Sequence, residues 1–405
     1  MHVYTAIVIG RGLTGSAAAR HLSREIEGVA LIGPPEPSER KGHQGVFGSH
    51  YDESRIVRTL DCDPHWGLLA ARSIARFESL QAESGIKFYH QAGHLAVAED
   101  SSDVENYVNR VDCVSAELRV THEVLNGRDL RDRFPFLHVP ENSTGRFQAE
   151  ISGTISPRRL VRAQTEMAER QGTAIIPEIA ACVRTDGAGV RVDTRAGGVY
   201  HADRVLVAAG AFCNHPSLLR TPLHLKFMGR TVLFMEPDDA GLKALRKMPS
   251  IIDRSGPPGT GSYILPPCRY PDGKFYLKIG TSLDVEDVLE TTAEVADWYR
   301  SDGNPVFADL LRGIVLERFP DIHFVSEKTE TCVNYYSART LPYVGCAPEE
   351  DNITVIAGGN GGTAKSSDEY GFIAANLVRQ GRWDYDLPEE LFVPLARSGW
   401  NNRDL

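Results

Sequence analysis

The segment Ala6–Leu22, AIVIGRGLTGSAAARHL, constrains the fold more than any other part of this chain. The β-branched run before the glycines is typical of a strand buried on both faces of a parallel sheet, and the residues after them have helical spacing. Gly10 is predicted to turn the chain out of the strand, Gly12 to let the backbone approach a pyrophosphate, and Gly15 to let helix and strand pack closely. The run Gly28–Ile32 then completes a βαβ unit. This pattern predicts that a dinucleotide binds at the helix N-terminus.

The acidic residue that usually binds the ribose in such a unit is missing. The second strand should end in an acid, but position 33 is glycine. Glu36, three residues later, is the candidate replacement after a local bend, and a water molecule is the alternative. No arginine cluster follows, so a 2′-phosphate is not predicted.

The rest of the chain predicts a sheet assembled from distant segments. Two later apolar runs, VLVAAG and ITVIAGG, also end in glycine, and the stretch Thr231–Ile279 between them is mostly β. A chain of 405 residues exceeds the roughly 250–300 residues at which a single core stops growing. We therefore expect an α/β domain with a second, β-rich α+β domain inserted into it. The helices are expected at 13–25, 66–81 (one long helix), 160–171, 293–319 and 367–379.

Composition excludes several classes of partner. The net charge of -10 argues against nucleic acid, which needs a basic surface, although a local basic pocket is still possible. No apolar stretch approaches ~18 residues, so no membrane span is expected. The seven cysteines show no CxxC pair, which argues against a metal site or a disulfide framework and favours a reducing compartment. With no basic signal-peptide region at the start, the cytoplasm is the expected location.

The stretch GSHYDESRIVR, Gly48–Arg58, resembles the segment beneath the flavin in amine oxidases of the D-amino-acid-oxidase superfamily. It is most similar to the branch of monomeric sarcosine oxidase and N-methyltryptophan oxidase. Three further matches follow in the order of that family: FYLKIG at 275–280, TCVNYY at 331–336 and GGNGGTAKSSDEYG at 358–371. The resemblance spans the whole chain, but only in these islands.

The resemblance implies a Rossmann-type FAD-binding domain interleaved with a β-rich substrate domain. We place the first at 1–88, 150–220 and 325–405, and the second at 89–149 and 221–324. Members of the family oxidise a carbon–nitrogen single bond to an imine and pass the electrons through FAD to O2, giving hydrogen peroxide. The implied substrate is a small secondary amine or amino acid, and the implied assembly is a monomer or homodimer.

The resemblance also assigns roles to single residues, each with a simpler alternative. Lys278 matches the oxygen-activating lysine, but a strand lysine commonly points to solvent. Arg58 and Lys365 match the pair that binds a substrate carboxylate, but they could be solvated surface cations. Cys332 matches the cysteine that forms a thioether to the flavin, but free cysteines are most often small buried hydrophobes; Cys346 is a weaker candidate. His50 and Arg55 are implied to set flavin electronics, but a single histidine is more often structural. Tyr263 is implied in the active site, with core packing as its alternative. Further implied cofactor-binding residues are Ser49, Gly359, Gly361, Gly362 and Lys365.

Two departures from the branch bear on the substrate. Ser282 stands where the branch has a histidine, and Asn334 stands where it has a tyrosine. Both family residues line the amine side of the pocket, whereas the carboxylate-binding cations are retained. We therefore expect a carboxylate-bearing substrate that is not sarcosine itself, with a larger or differently shaped amine.

Three other functions stay open at this point. A dehydrogenase of the same fold would pass electrons to a quinone or a carrier protein. An oxidase could instead form an imine in a cyclic amino acid for biosynthesis. A flavin-binding subunit or sensor would have no substrate of its own.

Overall fold

The computed structural model describes residues 2–101, 103, 106–256, 261–281 and 287–397. Its strands are β1 (His2–Ile9), β2 (Val29–Ile32), β3 (Arg55–Val57), β4 (Tyr89–His90), β5 (His94–Glu99), β6 (Glu123–Leu125), β7 (Ser143–Gln148), β8 (Gly153–Ile155), β9 (Ala174–Ile176), β10 (Ala180–Asp186), β11 (Gly189–Thr194), β12 (Val199–Val207), β13 (Leu225–Pro237), β14 (Ser250–Arg254), β15 (Ser262–Arg269), β16 (Phe275–Thr281), β17 (Val288–Leu289), β18 (Phe324–Ser337), β19 (Tyr343–Ala347) and β20 (Glu350–Ala357).

The helices are distributed among these strands along the described chain. They are α1 (Leu13–Ser23), α2 (Pro64–Ile74), α3 (Phe77–Ser84), α4 (Tyr107–Leu118), α5 (Gly127–Arg133), α6 (Pro157–Arg170), α7 (Asp239–Ala244), α8 (Thr292–Arg300), α9 (Pro305–Arg318) and α10 (Ser367–Gln380), with short 3-10 turns at Gly210–Phe212, Leu245–Lys247, Thr363–Ser366 and Glu389–Leu391.

One sheet is built around β1, as the glycine-ended strands predict. β1 lies between β12 and β2, with both pairs parallel, and β9 extends the sheet beyond β2. The second half of β12 pairs in parallel with β20, whereas its first half pairs with β11. The three strands that end in Ile9, Val207 and Ala357 are therefore neighbours, and the loops that follow them lie at one edge of the sheet.

The second sheet consists mainly of long antiparallel strands. Its order is β17-β13-β16-β15-β14-β5-β7-β6, and β18 pairs with β13 along nearly its whole length. A small third sheet, with the order β3-β8-β4, is formed by strands from the part of the chain between residues 55 and 155. β18 belongs to the third segment predicted for the FAD domain, yet it pairs in the second sheet and so connects the two predicted domains. The domain boundaries themselves stay a prediction.

Two helix predictions are wrong in the same way. The expected helix 66–81 is two helices, α2 and α3. The break falls at Ala75–Arg76, where Arg76 turns toward Asp368 and Glu369 and Phe77 enters the core. The expected helix 293–319 is also divided, because Gly303 adopts φ +80 and Pro305 begins α9. A left-handed residue followed by proline ends one helix and starts the next.

None of the described helices combines the length and the apolar composition that a bilayer crossing requires.

Candidate active site

The glycine turn between β1 and α1 has the predicted geometry. Gly10 adopts φ +108, and a Cβ there would overlap the Ala208 carbonyl. A Cβ on Gly15 would overlap the Gly10 carbonyl, whereas a Cβ on Gly12 would lie 3.5 Å from His50 Nδ1, an ordinary contact. No side chain caps the N-terminus of α1. Its first N–H groups are therefore available to an anionic ligand.

A cavity of about 420 Å³ extends from this turn across the edge of the first sheet to the loop after β20. Its wall is formed by the β1–α1 turn, the segment 46–58, the ends of β12 and β15, β18 and residues 359–365. The predicted site residues on this wall are Gly10, Gly12, Ser49, His50, Arg55, Arg58, Tyr263, Cys332, Gly359, Gly361, Gly362 and Lys365.

Three predicted residues are not on this wall. Gly15 packs beneath the turn. Both carboxylate oxygens of Glu36 are bound by Arg158, at 2.7 and 2.8 Å. Lys278 lines a smaller neighbouring cavity, which shares Ser49, Arg55 and Cys332 with the larger one.

Arg58 and Lys365 lie side by side because both bind Asp61. Arg58 Nη1 is 3.1 Å and Lys365 Nζ is 3.0 Å from the same oxygen, Oδ2. All three side chains are buried, and Lys365 also lies over the Trp66 ring, 4.9 Å from its centre. They are therefore not solvated surface cations. This trio carries one net positive charge, which can accept one further carboxylate.

The charges of this trio depend on each other. Burial favours the neutral acid at Asp61, but Arg58 and Lys365 outweigh it and lower the pKa of Asp61 to about 2. Burial lowers the pKa of Lys365, and Asp61 opposes this. Burial also disfavours the charge of Arg58, but Asp61 leaves its pKa raised. Removing Asp61 would therefore leave two buried cations without a counter-charge.

Lys278 is 1% exposed, and β16 lies between β13 and β15, so this lysine does not point to solvent from an edge strand. Its ammonium donates to the Ser54 carbonyl at 2.8 Å and contacts the carboxylate of Asp52. Burial lowers its pKa well below the usual value, and Arg55 acts in the same direction.

His50 and Arg55 face different parts of the cavity. The imidazole of His50 lies against the backbone of Gly12 and Gly48. Burial, with the charges of Arg158, Arg11 and Arg55, lowers the pKa of His50 to about 3, so the ring is neutral at physiological pH. Arg55 donates to the Ser49 carbonyl at 2.9 Å and contacts Asp52. Of these two residues, only Arg55 brings a positive charge.

The wall on the β18 side includes Asn334, one of the two departures noted in the sequence. The Asn334 amide donates to the Tyr336 hydroxyl at 3.3 Å, and that hydroxyl also accepts from Arg230 at 2.9 Å. Tyr263 packs over Gly280, where a Cβ would overlap its ring. Ser282 lies outside the described residues.

Cys332 lies on β18, opposite Arg230 on β13. It is partly buried, and its carbonyl accepts from the Trp298 indole at 3.1 Å. None of the seven cysteines is in a disulfide. Cys346 is exposed on β19 and is not on the cavity wall.

A family model described as FAD dependent oxidoreductase (DAO) matches residues 5–377 of this chain. The chain belongs to this family. Monomeric sarcosine oxidase from Bacillus sp. (strain B-0618) is 24% identical over 401 residues, covering 95% of this chain and 94% of its own. N-methyl-L-tryptophan oxidase from Yersinia pestis (strain Pestoides F) is 26% identical over 381 residues, covering 92% and 94%. Among solved structures, NikD, an unusual amino acid oxidase essential for nikkomycin biosynthesis, shares the fold with a TM-score of 0.77 at 20% identity, covering 98% of this chain and 99% of its own.

The cavity fits the FAD that defines the family. The uncapped N-terminus of α1 and the open space at Gly12 suit a pyrophosphate, and the cavity continues from there to Cys332 and Gly361. The structure also explains why position 33 lacks an acid. A Cβ on Gly33 would lie 2.5 Å from the Arg11 Cβ, so any side chain there would meet Arg11. Glu178, two residues before β10, is an acid that lines the cavity.

Two residues of this FAD oxidoreductase were missed in the sequence, Asp52 and Asp61. Asp61 follows Arg58 by three residues, a spacing that allows an ion pair but does not indicate that Lys365 completes it. Asp52 lies inside the stretch that resembles the family segment, but its partner Lys278 is distant in sequence. A contact between residues this far apart leaves no local signal.

Proposed function

We propose that this FAD-dependent oxidoreductase is an amine oxidase for a secondary amine or amino acid that carries a carboxylate. The observation that carries the proposal is the trio at the cavity wall, in which Arg58 and Lys365 bind one oxygen of Asp61 at 3.1 and 3.0 Å. Guanidinium and ammonium donors fixed at this spacing favour a planar anion such as a carboxylate.

Bound FAD would accept two electrons from a carbon–nitrogen bond and pass them to O2, giving hydrogen peroxide. The residues that would hold it are Gly10, Gly12 and the N-terminus of α1 at the pyrophosphate, with Ser49, Arg55 and residues 359–362 along the rest of the cavity. Arg55 would stabilise negative charge at the ring system. Attachment through Cys332 is part of the proposal, since this residue lines both cavities.

The substrate must bind as a free amine, because its nitrogen lone pair is needed for oxidation. Holding the carboxylate on the trio of Arg58, Asp61 and Lys365 would fix the orientation of the reacting carbon, and orientation is a large part of catalysis.

The amine side of the pocket favours a substrate other than sarcosine. Asn334 and Arg230 both donate hydrogen bonds to the Tyr336 hydroxyl, so this wall is polar. An amine with a larger polar substituent would find hydrogen-bonding groups here. Three expectations from the sequence stay predictions: the assembly as a monomer or homodimer, the cytoplasmic location and the domain boundaries.

A panel of amines and amino acids, mixed anaerobically with the purified yellow protein, tests the proposal. We expect at least one carboxylate-bearing amine to bleach the flavin absorbance, and admission of air to restore it with release of hydrogen peroxide. Bleaching without recovery in air would indicate a dehydrogenase. No bleaching by any amine would favour a subunit or sensor and would contradict the proposal.

A further inference from the structure

Asp52 is a buried carboxylate to which the proposed function gives no role. It is 7% exposed, and its Oδ1 accepts hydrogen bonds from the Tyr270 hydroxyl at 2.9 Å and the Glu53 backbone N–H at 2.7 Å. Its Oδ2 contacts both Lys278 and Arg55. One fixed carboxylate thus faces two cations next to the cofactor cavity.

Lys278 needs such a counter-charge to stay charged. A buried ammonium without a partner gives up its proton, and both burial and Arg55 act on Lys278 in that direction. The rings of Phe234 and Tyr263 lie 6.0 Å from its nitrogen and offer only weak support. Among the described residues, Cys268, Glu330 and Cys332 also act on its charge. Lys328 lies over the same Phe234 ring, and the Tyr270 hydroxyl donates to Asp52. Asp52 is the carboxylate in direct contact.

The hydrogen bonds of Lys278 support the same conclusion. An ammonium has three N–H donors. Asp52 and the Ser54 carbonyl take two of them, which leaves one for a ligand. A neutral amine with both of its N–H groups used by these partners would offer only a lone pair. The charged form alone presents both a positive charge and a donor.

We propose that Asp52 is the positioning residue that keeps Lys278 in its ammonium form beside the cofactor cavity. The consequence for oxygen reduction rests on the proposed function. The coupling between the two side chains is a property of the chain itself and can be measured without cofactor or substrate.

The first experiment measures the free energy of unfolding of the flavin-free protein from about pH 10 to about pH 7. Burial already holds the folded-state pKa of Lys278 below its unfolded value of about 10.4, and Asp52→Asn should lower it further because the contacting carboxylate is lost. For a lysine with a depressed folded-state pKa, the free energy of unfolding is highest above the unfolded-state pKa. It decreases as the pH falls toward the folded-state pKa, because the unfolded chain then binds the proton more strongly. We expect this loss to continue to a lower pH in Asp52→Asn than in the wild type, and we expect no such difference when both carry Lys278→Met.

Asp253→Asn is the matched control. Asp253 is also a buried carboxylate, but its cationic partner is Arg318, at 2.6 Å. Because arginine keeps its proton throughout this pH range, this variant should lose stability without a change in pH dependence. Equal pH dependence in Asp52→Asn and the wild type overturns the proposal. If Asp52→Asn does not fold, the double variant with Lys278→Met must fold, and its failure overturns the proposal as well.

The second experiment follows the return of the yellow absorbance when the reduced protein meets oxygen. We expect Asp52→Asn to be at least ~10-fold slower than the wild type near pH 8, on the scale of losing one fixed charge at a reacting group. Its rate should recover as pH falls and Lys278 regains its proton. Adding Asp52→Asn to Lys278→Met should cause no further loss. If the rate losses of the two substitutions add up in the double variant, the proposal is overturned. If oxygen does not reoxidise the wild type, the oxidase assignment is overturned. In that case the unfolding experiment still decides the role of Asp52.

Discussion

At the scale of single residues, the candidate site depends on two carboxylates that each bind two cations. Asp61 binds Arg58 and Lys365, and Asp52 contacts Arg55 and Lys278. In the first group two cations outnumber one buried acid, which leaves one net positive charge. The second group carries the same surplus when Lys278 is in its ammonium form, as proposed above. That surplus favours an anionic substrate group at one place and developing negative charge at the other.

The first residue-scale prediction concerns Arg58. Replacing it with methionine should weaken the binding of benzoate, used as a simple carboxylate probe, by about 10–100-fold, because hydrogen bonds to charged groups contribute ~1.5–3 kcal/mol. The measurement is a titration of the flavin absorbance. Arg128→Met, at an exposed position, is the control and should bind as the wild type does. Equal affinity in Arg58→Met would show that the carboxylate binds elsewhere.

The second residue-scale prediction concerns Cys332. Acid precipitation of the wild type should leave the yellow colour in the pellet, because a thioether survives denaturation. In Cys332→Ser the colour should move to the supernatant, and in Cys346→Ser it should stay in the pellet, because Cys346 is not on the cavity wall. A wild-type supernatant that is already yellow would contradict covalent attachment.

At the scale of elements, the three glycines of the first turn have separable roles. Gly10 and Gly15 are required by the chain itself, since a Cβ on either would overlap a backbone carbonyl. Gly12 has room for a Cβ beside His50, so the protein alone does not require glycine there. What requires it is the ligand that approaches the turn.

This difference predicts opposite outcomes for two alanine variants. Gly12→Ala should change the free energy of unfolding of the flavin-free protein by no more than ~0.5 kcal/mol, yet weaken FAD binding by ~10-fold or more, because the added methyl occupies the pyrophosphate position. Gly15→Ala should destabilise the flavin-free protein by about 1–3 kcal/mol through overpacking. Urea unfolding and FAD titration measure the two effects, both in proteins that carry Cys332→Ser so that the flavin binds reversibly. Equal FAD affinity in Gly12→Ala and the wild type would place the pyrophosphate elsewhere.

At the scale of the whole molecule, a buried ion network joins helices from distant parts of the chain. Asp368, on α10, is fully buried and binds Arg20 of α1 at 2.7 Å, Gln164 of α6 at 2.8 Å, and Arg76 before α3. Burial would raise the pKa of Asp368, but its cationic neighbours and His21 hold it well below its usual value. The network therefore ties together the helices that pack against the first sheet.

Asp368→Asn should lower the free energy of unfolding by about 3–5 kcal/mol at neutral pH, because it leaves buried cations unpaired. Since the folded pKa of Asp368 is depressed, its stabilisation is present above the unfolded pKa and is lost as pH falls below about 4 through the folded value. Urea unfolding measures the effect at several pH values.

Asp386→Asn is the control for this prediction. Asp386 binds Arg72, but its side chain is 63% exposed, and an exposed ion pair contributes about 1 kcal/mol or less. Comparable losses in the two variants would mean that the buried network does not hold the helices together.

Features of the fold that depend on local sequence could be predicted, whereas features that depend on contacts between distant residues could not. The β1–α1–β2 unit and the neighbouring positions of β12 and β20 were predicted, because apolar runs that end in glycine are local signals. The division of 66–81 and 293–319 into two helices each was not. Arg76 turns toward acids almost 300 positions away, and helical periodicity does not register such a contact.

The sequence by itself determined the glycine turn, the class of fold and the residue types at the cavity, because each depends on short stretches with a fixed spacing. Only the tertiary structure decided how those residues are charged and paired. Asp61 joins Arg58 to Lys365, Asp52 meets Lys278, and Glu36 is bound by Arg158. The physical reason is that burial and charge act through space, so protonation and orientation depend on neighbours that the order of residues along the chain does not reveal.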